Sequence, residues 1–236
     1  MTLPDEAEPT NPEPPEGPLH GYAGDRGESA AATLPLAPSI AISREAGARG
    51  TAIARRIGER CGWLVCDREM LGYTAQDPSA VSSLLAELPL ETTRWIDEQL
   101  ERLQRGGLAT LDADDEPVAR LILALAAKGE VVFVGRGAGY LLPRESTLHV
   151  QLIAPLDDRV AYLSQLLRLT FEEAQREVAT RDAQRRDYIQ RRFRPGDAPT
   201  AFDLILNSSA LGSETCVELI LAAMMAKSNA RFQESW

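Results

Sequence analysis

Residues 39–51, SIAISREAGARGT, combine a short apolar segment, a glycine-containing loop and the start of a helix. A turn that contains Gly47 and Gly50 can direct successive backbone N–H groups towards one anion. The positive end of a helix that begins near Thr51 adds to their attraction. The segment therefore predicts a phosphate-binding loop. The alternative is an ordinary turn between a strand and a helix, since glycines are common in such turns.

The loop departs from the phosphate-binding pattern GxxxxGK[ST] at three positions. Arg44 stands at the first glycine, Arg49 at the second and Gly50 at the lysine. Thr51 keeps the hydroxyl group that can bind Mg²⁺. The chain contains only two lysines, Lys128 and Lys227. We therefore expect arginine to supply the positive charge for phosphate chemistry, with Arg49 replacing the lysine as a planar guanidinium.

Residues 170–194 contain many arginines and few acidic residues. Arg181 and Arg185 share one face at helical spacing. One interpretation is a solvated helix whose arginines pair with neighbouring acids. The other is an arginine-rich pair of helices that closes over a transferring phosphoryl group, excludes water and neutralises growing negative charge. Nucleic-acid binding is disfavoured because the chain has a net charge of −10.

Five short apolar segments alternate with helical patterns along the chain. The predicted strands are residues 39–43, 63–66, 131–134, 148–153 and 202–206. Helices are predicted at residues 51–61, in several pieces between 79 and 129, and at 217–227. This alternation predicts the α/β class, as a three-layer α/β/α sandwich with a parallel five-stranded sheet. We expect its ligand beyond the carboxyl ends of the strands.

The first 36 residues differ in composition from the rest of the chain. They contain seven prolines, and seven acidic residues against the single Arg26, so −6 of the net charge belongs to this segment. Such a composition buries too little apolar surface to fold, and we predict a disordered acidic tail at residues 1–36. The remaining length suits one ordinary core, predicted as one domain at residues 37–230.

The three cysteines and two histidines do not have the spacing of a zinc site or a disulfide framework. The acidic N-terminus does not resemble a secretory signal, and no apolar run is long enough for a membrane span. We therefore expect a cytoplasmic protein whose partners are small molecules, and not membranes or nucleic acids. The sequence makes no prediction of oligomeric state.

Five motifs together resemble the cytidylate kinase-like proteins in order and spacing, over residues 39–226. They are ISREAGARGTAIARRIGERCGW, CDREML, VVFVGRGAGYLL, RDAQRRDY and FDLILNSS. Those proteins are P-loop nucleoside monophosphate kinases. The resemblance implies transfer of the γ-phosphoryl group of ATP to CMP or a similar monophosphate, with Mg²⁺. It also implies a helical insertion that binds the monophosphate and an arginine-rich lid.

The resemblance assigns site residues by position in this sequence. For the phosphate loop they are Gly47, Ala48, Arg49, Gly50 and Thr51; for the metal, Thr51; for substrate binding, Asp67, Arg136 and Asp182; and for catalysis, Arg49, Arg136, Arg181 and Arg185. In the better-known cytidylate kinases an aspartate that helps to read the nucleoside follows the Gly-Arg pair. Here that position is Gly137.

Two of these residues have a second interpretation from the sequence alone. Asp67 can cap a helix that begins at Arg68. Arg136 can pair with an acidic residue, although an arginine between two glycines at the end of a strand has little value for core packing.

Two other functions remain open at this stage. A nucleotide-binding pseudokinase would keep the fold and sense a nucleotide, because loss of the loop lysine is a change that can abolish turnover. An interaction protein would act through residues 1–36, with the folded domain as a scaffold. Deletion of that segment tests the second alternative, since intact turnover would show that the tail is dispensable for the chemistry.

Overall fold

The computed structural model describes residues 38–194 and 202–234, so the predicted tail, residues 1–36, lies outside the described residues. The described residues contain a five-stranded sheet. Its strands are β1 (Ser39–Arg44), β2 (Leu64–Cys66), β3 (Val131–Val134), β4 (Thr147–Ile153) and β5 (Leu204–Asn207). Their spatial order is β2-β3-β1-β4-β5, and every neighbouring pair is parallel. The predicted parallel sheet is confirmed.

Helices cover both faces of the sheet. Those from the first half of the described chain are α1 (Gly50–Cys61), α2 (Arg68–Ala75), α3 (Pro78–Ala86), α4 (Leu90–Arg105) and α5 (Asp115–Lys128). Those from the second half are α6 (Ala138–Leu141), α7 (Leu156–Leu167), α8 (Phe171–Arg192), α9 (Ser208–Leu211) and α10 (Ser213–Glu234). None of the helices in the described part of the chain has the length and apolar character needed to cross a bilayer.

The three central strands, β1, β3 and β4, are largely buried on both faces, as is typical of a parallel sheet covered by helices. Ile40 and Ile42 of β1 pack in one apolar cluster with residues of α1 and α10. Ala41, which points to the opposite face, belongs to a second cluster with residues of α4 and α5. The sheet is therefore the middle layer of the predicted α/β/α sandwich.

The arginine-rich segment forms one helix and not the predicted pair of helices. Helix α8 runs without a break for 22 residues. It begins at a capping box, in which the Thr170 hydroxyl accepts from the N–H of Glu173 and the Glu173 carboxylate accepts from the N–H of Thr170. No glycine or proline occurs within it, so nothing in the sequence ends the helix early. Helix α7, which the sequence analysis did not predict, precedes it.

The carboxyl ends of the three central strands meet at one edge of the sheet. Ile42 of β1 lies opposite Val134 of β3 and Val150 of β4 in the parallel register. The loops that follow β1 and β3 therefore lie side by side, which places the glycine-containing loop beside Arg136.

Candidate functional site

The loop between β1 and α1 leaves five backbone N–H groups without an acceptor among the described residues. They belong to Gly47, Arg49, Gly50, Thr51 and Ala52. Gly47 and Arg49 have left-handed φ values of 85° and 58°. Helix α1 also lacks a side-chain cap at its N-terminus. Free N–H groups at the positive end of a 12-residue helix form a binding site for an anion.

Ala48 differs from the other predicted loop residues. Its backbone N–H donates to the carbonyl oxygen of Glu45 at 3.2 Å, and its side chain is buried in the cluster beneath α1. Neither its N–H nor its methyl group is available to a ligand. The geometry therefore favours a packing role for Ala48, in place of the predicted contact with the cofactor.

An open cleft of about 100 Å³ lies against this loop. Two of the arginines that line it come from the loop region and two from α8: Arg44, Arg49, Arg181 and Arg185. Thr51 and Tyr162 also line the cleft. The structure thus brings the predicted loop residues and lid arginines around one space, whose positive charge suits a polyphosphate.

Two of these arginines lack a carboxylate partner. Among the side chains of residues 38–194 and 202–229, no carboxylate lies within ion-pair distance of Arg44 or Arg49. The Arg49 guanidinium carbon lies 5.2 Å from the centroid of the Tyr162 ring. A cation–π contact of this kind holds the side chain without neutralising its charge.

The two arginines of α8 are only partly neutralised. Arg181 donates to Glu177 over 2.6 Å, whereas Arg185 approaches the Asp182 carboxylate no closer than 3.8 Å. Arg185 also donates to the backbone carbonyl oxygen of Arg44, at 3.1 Å. The cleft therefore has more positive charge than the neighbouring carboxylates neutralise.

Burial and mutual repulsion lower the pKa values of two of these guanidinium groups. Burial, and after it the nearby charge of Arg185, lower the pKa of Arg44 to about 10. Burial also lowers the pKa of Arg185. Both remain protonated at neutral pH, and an anion in the cleft would relieve the repulsion between them.

A buried arginine connects the loop to α7 and α8. The Arg159 Nε donates to the Ala154 carbonyl oxygen at 3.0 Å, and its Nη1 donates to the Ala46 carbonyl oxygen at 3.2 Å. Nη1 also donates to Asp182 Oδ2 at 2.5 Å, and Nε lies 3.4 Å from Glu45 Oε2. This one side chain therefore contacts the start of the loop, the residue that follows β4 and the middle of α8.

Asp182, predicted to bind substrate, has both carboxylate oxygens engaged by the protein. Oδ1 accepts from the Ala46 N–H at 2.7 Å, and Oδ2 accepts from Arg159. The geometry favours a positioning role, in which Asp182 fixes α8 to the loop and so places Arg181 and Arg185. Gly47 packs closely in the same region, because a Cβ there would lie 2.5 Å from the Arg159 carbonyl oxygen.

Arg136 lies at the end of β3, beside the loop but outside the lining of the cleft. Its guanidinium carbon is 5.9 Å from the centroid of the Tyr188 ring, and one of its terminal nitrogens lies close to Gly72 of α2. Its buried Nε has no hydrogen-bond partner among the described residues. Arg136 therefore has donor capacity for a ligand between β3 and α2.

Asp67 caps α2, as one of its two interpretations predicts. Its Oδ1 accepts from the N–H groups of Glu69 at 3.1 Å and Met70 at 3.0 Å. Asp67 also lies close enough to Arg44 to oppose the fall in the pKa of that arginine. A contact between Asp67 and a substrate remains a prediction.

The sequence analysis did not assign three residues that shape the site: Arg44, Arg159 and Tyr162. The only indication of Arg44 in the sequence was that it departs from the loop pattern. Arg159 is a lone arginine beside the buried Val160 of α7, and its contacts come from distant parts of the chain. No local pattern identifies such a residue.

Comparison with a curated protein and a solved structure gives two likenesses. The chain is 27% identical over 107 residues to a cytidylate kinase from Ignicoccus hospitalis, which is 45% of this chain and 62% of that protein. The alignment thus spans less than two thirds of the relative. An uncharacterized protein from Eubacterium ventriosum ATCC 27560 has a similar structure, with a TM-score of 0.55 and 16% identity over 80% of this chain and 98% of that one. That likeness concerns the fold alone.

The strands, the phosphate-binding loop and the α8 arginines all lie within residues 39–210. A model of the cytidylate kinase-like family matches these residues, which are most of the described chain. The protein belongs to the cytidylate kinase-like family.

Proposed function

We propose that this protein transfers the γ-phosphoryl group of ATP to CMP or a related nucleoside monophosphate, in the cytoplasm. The observation that carries the proposal is the convergence of free loop N–H groups and four arginines on one cleft, with Arg136 at the end of the next strand. Family membership supports a nucleotide kinase, and the curated relative named cytidylate kinase supports CMP as the acceptor.

The donor nucleotide would place its β- and γ-phosphates against the loop. The free N–H groups from Gly47 to Ala52 would bind phosphate oxygens, and Arg49 would add a charged donor from the Tyr162 side. These groups are positioned by the fold before the nucleotide arrives. Their binding therefore requires little reorganisation.

Thr51 fits a divalent metal held mainly by the nucleotide. Its hydroxyl lines the cleft and makes no hydrogen bond with a described residue. No group of three His, Cys, Asp or Glu side chains suited to a metal occurs among the described side chains of residues 38–194 and 202–229. Mg²⁺ often binds through one protein oxygen, phosphate oxygens and water, and one hydroxyl is sufficient for that arrangement. When bound, the metal would neutralise negative charge on the phosphates.

The acceptor monophosphate would bind at the ends of β2 and β3. Arg136 would orient its phosphate, and its Nε, which has no hydrogen-bond partner among the described residues, would be one of the donors. Arg181 and Arg185 would then neutralise the charge on the transferring group. Phosphoryl transfer needs mainly positioning and charge stabilisation, so these residues suffice without a strong general base.

A turnover panel with the full chain tests the proposal. ADP release is measured by a coupled assay with Mg-ATP and, in turn, CMP, dCMP, UMP and AMP. We expect turnover with CMP or a close relative to exceed the rate without acceptor. ATP binding without turnover for any acceptor would instead support the pseudokinase, for which the missing loop lysine is the motivating observation.

Replacement of Arg136 by alanine tests the acceptor site. We expect the apparent acceptor KM to rise, or kcat to fall, by at least about tenfold, because a charge-assisted contact to phosphate contributes about 1.5 to 3 kcal/mol. The KM for ATP should change much less. Steady-state kinetics in both substrates measure the difference.

Arg105→Ala is the matched control, since the Arg105 side chain on α4 is 79% exposed and, among the described residues, forms an ion pair only with Glu101 of the same helix. Its kinetics should equal those of the wild type. Unchanged acceptor kinetics in the Arg136 variant would remove Arg136 from the acceptor site.

A further inference from the structure

Arg44 occupies the space that a side chain at position 50 would need. In the pattern GxxxxGK[ST], position 44 is the first glycine and position 50 is the lysine. A Cβ placed on Gly50 would lie 2.8 Å from Arg44 Cγ and 3.0 Å from Arg44 Cβ. Gly50 itself does not have a positive φ, so its backbone would accept a side chain. What excludes a side chain at position 50 is therefore Arg44.

The Arg44 side chain continues from Gly50 across the sheet edge to Gly135. A Cβ on Gly135 would collide with Arg44 Nη1, and Gly135 has a φ of 82°. Gly135 immediately precedes Arg136. The guanidinium of Arg44 thus lies between the phosphate-binding loop and the residue proposed for the acceptor phosphate, with glycine at both points of close approach.

The charge of this guanidinium is only partly offset, by Asp67. Arg44 has no ion-pair partner in the described part of the chain, and the charges that act on it are Arg185, Arg68 and Asp67. The balance of burial and these charges lowers the pKa of Arg44 to about 10. A partly buried cation without an ion-pair partner destabilises the free protein unless an anion binds beside it.

We propose that Arg44 and Gly50 have exchanged the roles of glycine and lysine in the phosphate-binding loop, so that Arg44 supplies the cation that contacts the β- and γ-phosphates of the donor. Arg49, held on the outer side by Tyr162, is then a secondary contact and not the replacement for the lysine. The inference rests on the donor site of the proposed function. It does not depend on which acceptor is used.

The first test removes the cation and keeps most of the side chain. Binding of Mg-ATP and of inorganic tripolyphosphate to Arg44→Met is measured by titration calorimetry, together with Tm. We expect at least about a tenfold loss of affinity for both ligands, because a charge-assisted contact to phosphate is lost. The Tm of the free protein should be unchanged or higher, because a buried unpaired charge has been removed.

The second test restores the usual arrangement. Arg44→Gly combined with Gly50→Lys vacates the space and places an ammonium group where the pattern has one. We expect this double variant to bind tripolyphosphate within about threefold of the wild type, whereas Gly50→Lys alone should bind weakly or lose Tm through collision with Arg44. Gly135→Ala, which displaces the guanidinium by steric contact, should also weaken binding. It gives an independent test if the double variant does not fold.

Arg55→Ala on the exposed face of α1 is the charge control, and we expect it to bind both ligands with wild-type affinity. Equal affinity of Arg44→Met and the wild type would overturn the inference. A fall in the Tm of Arg44→Met by more than about 5 °C, with no specific loss of tripolyphosphate binding, would overturn it as well and would make Arg44 a structural residue. In a third outcome, tripolyphosphate binding depends on Arg44 but the wild type shows no turnover with any acceptor. That outcome would support the inference and contradict the proposed kinase activity.

Discussion

Replacement of Arg159 by methionine is expected to lower the free energy of unfolding by about 3 to 5 kcal/mol. The Arg159 guanidinium is nine-tenths buried and donates to Asp182 and to two backbone carbonyl oxygens. Methionine retains much of the volume and none of the donors. The Asp182 carboxylate and the Ala46 carbonyl oxygen would then be left without this donor in a partly buried region, and removing one partner of such a pair costs more than the pair contributes. Urea denaturation followed by circular dichroism measures the change.

Two further variants separate the hydrogen bonds of Arg159 from its charge. Arg159→Lys keeps the positive charge but cannot donate from two positions of a planar group, so an intermediate loss of stability is expected. Arg176→Met, at an exposed position on α8, is the matched control and should lie within about 0.5 kcal/mol of the wild type. A loss below about 1 kcal/mol for Arg159→Met would show that the network does not hold the loop.

Arg159→Met also tests whether Arg159 positions the arginines of α8 or only stabilises the fold. Asp182 fixes α8 to the loop through Ala46 and Arg159, and α8 has Arg181 and Arg185 on either side of Asp182 in sequence. Under conditions where Arg159→Met remains folded, loss of this connection should lower kcat more than it raises the KM for ATP. If Arg159 were important only for stability, its replacement would change neither kcat nor the KM for ATP in the folded fraction.

The sheet could be predicted well because each strand is indicated by a local run of residues. Residues 131–134 were predicted as a strand and form one with the same bounds, because four successive apolar residues suit a strand buried on both faces. The other strands differ by one or two residues at their ends. Helix α7 was not predicted, and α8 was expected to be a pair of helices. The boundary between those two helices depends on Arg168, whose left-handed φ of 56° ends α7 at a residue with no sequence signal for that conformation.

The site could be predicted from the sequence only where its residues are contiguous in the chain. The loop from Gly47 to Thr51 is contiguous, so its pattern was recognisable without a structure. Arg44 has the opposite character, because its role depends on two glycines, one of which directly follows β3 and is distant in sequence. Arg159 contacts Ala46, which lies 113 residues earlier, and spacing in the sequence cannot indicate such a contact. Asp182 was predicted in the arginine-rich helical segment and lies in α8. Whether its side chain faces a ligand or the loop depends on how the loop, α7 and α8 pack together.

Replacement of Arg185 by alanine should lower kcat by about 10³-fold if the proposed phosphoryl transfer is correct. Arg185 donates from Nη1 to the Arg44 carbonyl oxygen, which fixes its position, while its other donors line the cleft. Its partial burial, which lowers its pKa, also strengthens its attraction for charge that develops on the transferring group. Because this interaction grows in the transition state, kcat should fall far more than affinity for ATP.

Arg186→Ala provides the control, because Arg186 is the next residue of the same helix and is exposed. It should retain wild-type kcat and KM values. Guanidinium ion added at non-denaturing concentration should partly restore turnover in Arg185→Ala and have no such effect on Arg186→Ala, because only the first variant has an empty cation position beside the phosphates. A tenfold rise in the KM for ATP at an unchanged kcat would contradict the assignment. It would place Arg185 in ground-state binding of the nucleotide, and the charge of the transferring group would have to be neutralised by Arg44 and Arg181 instead.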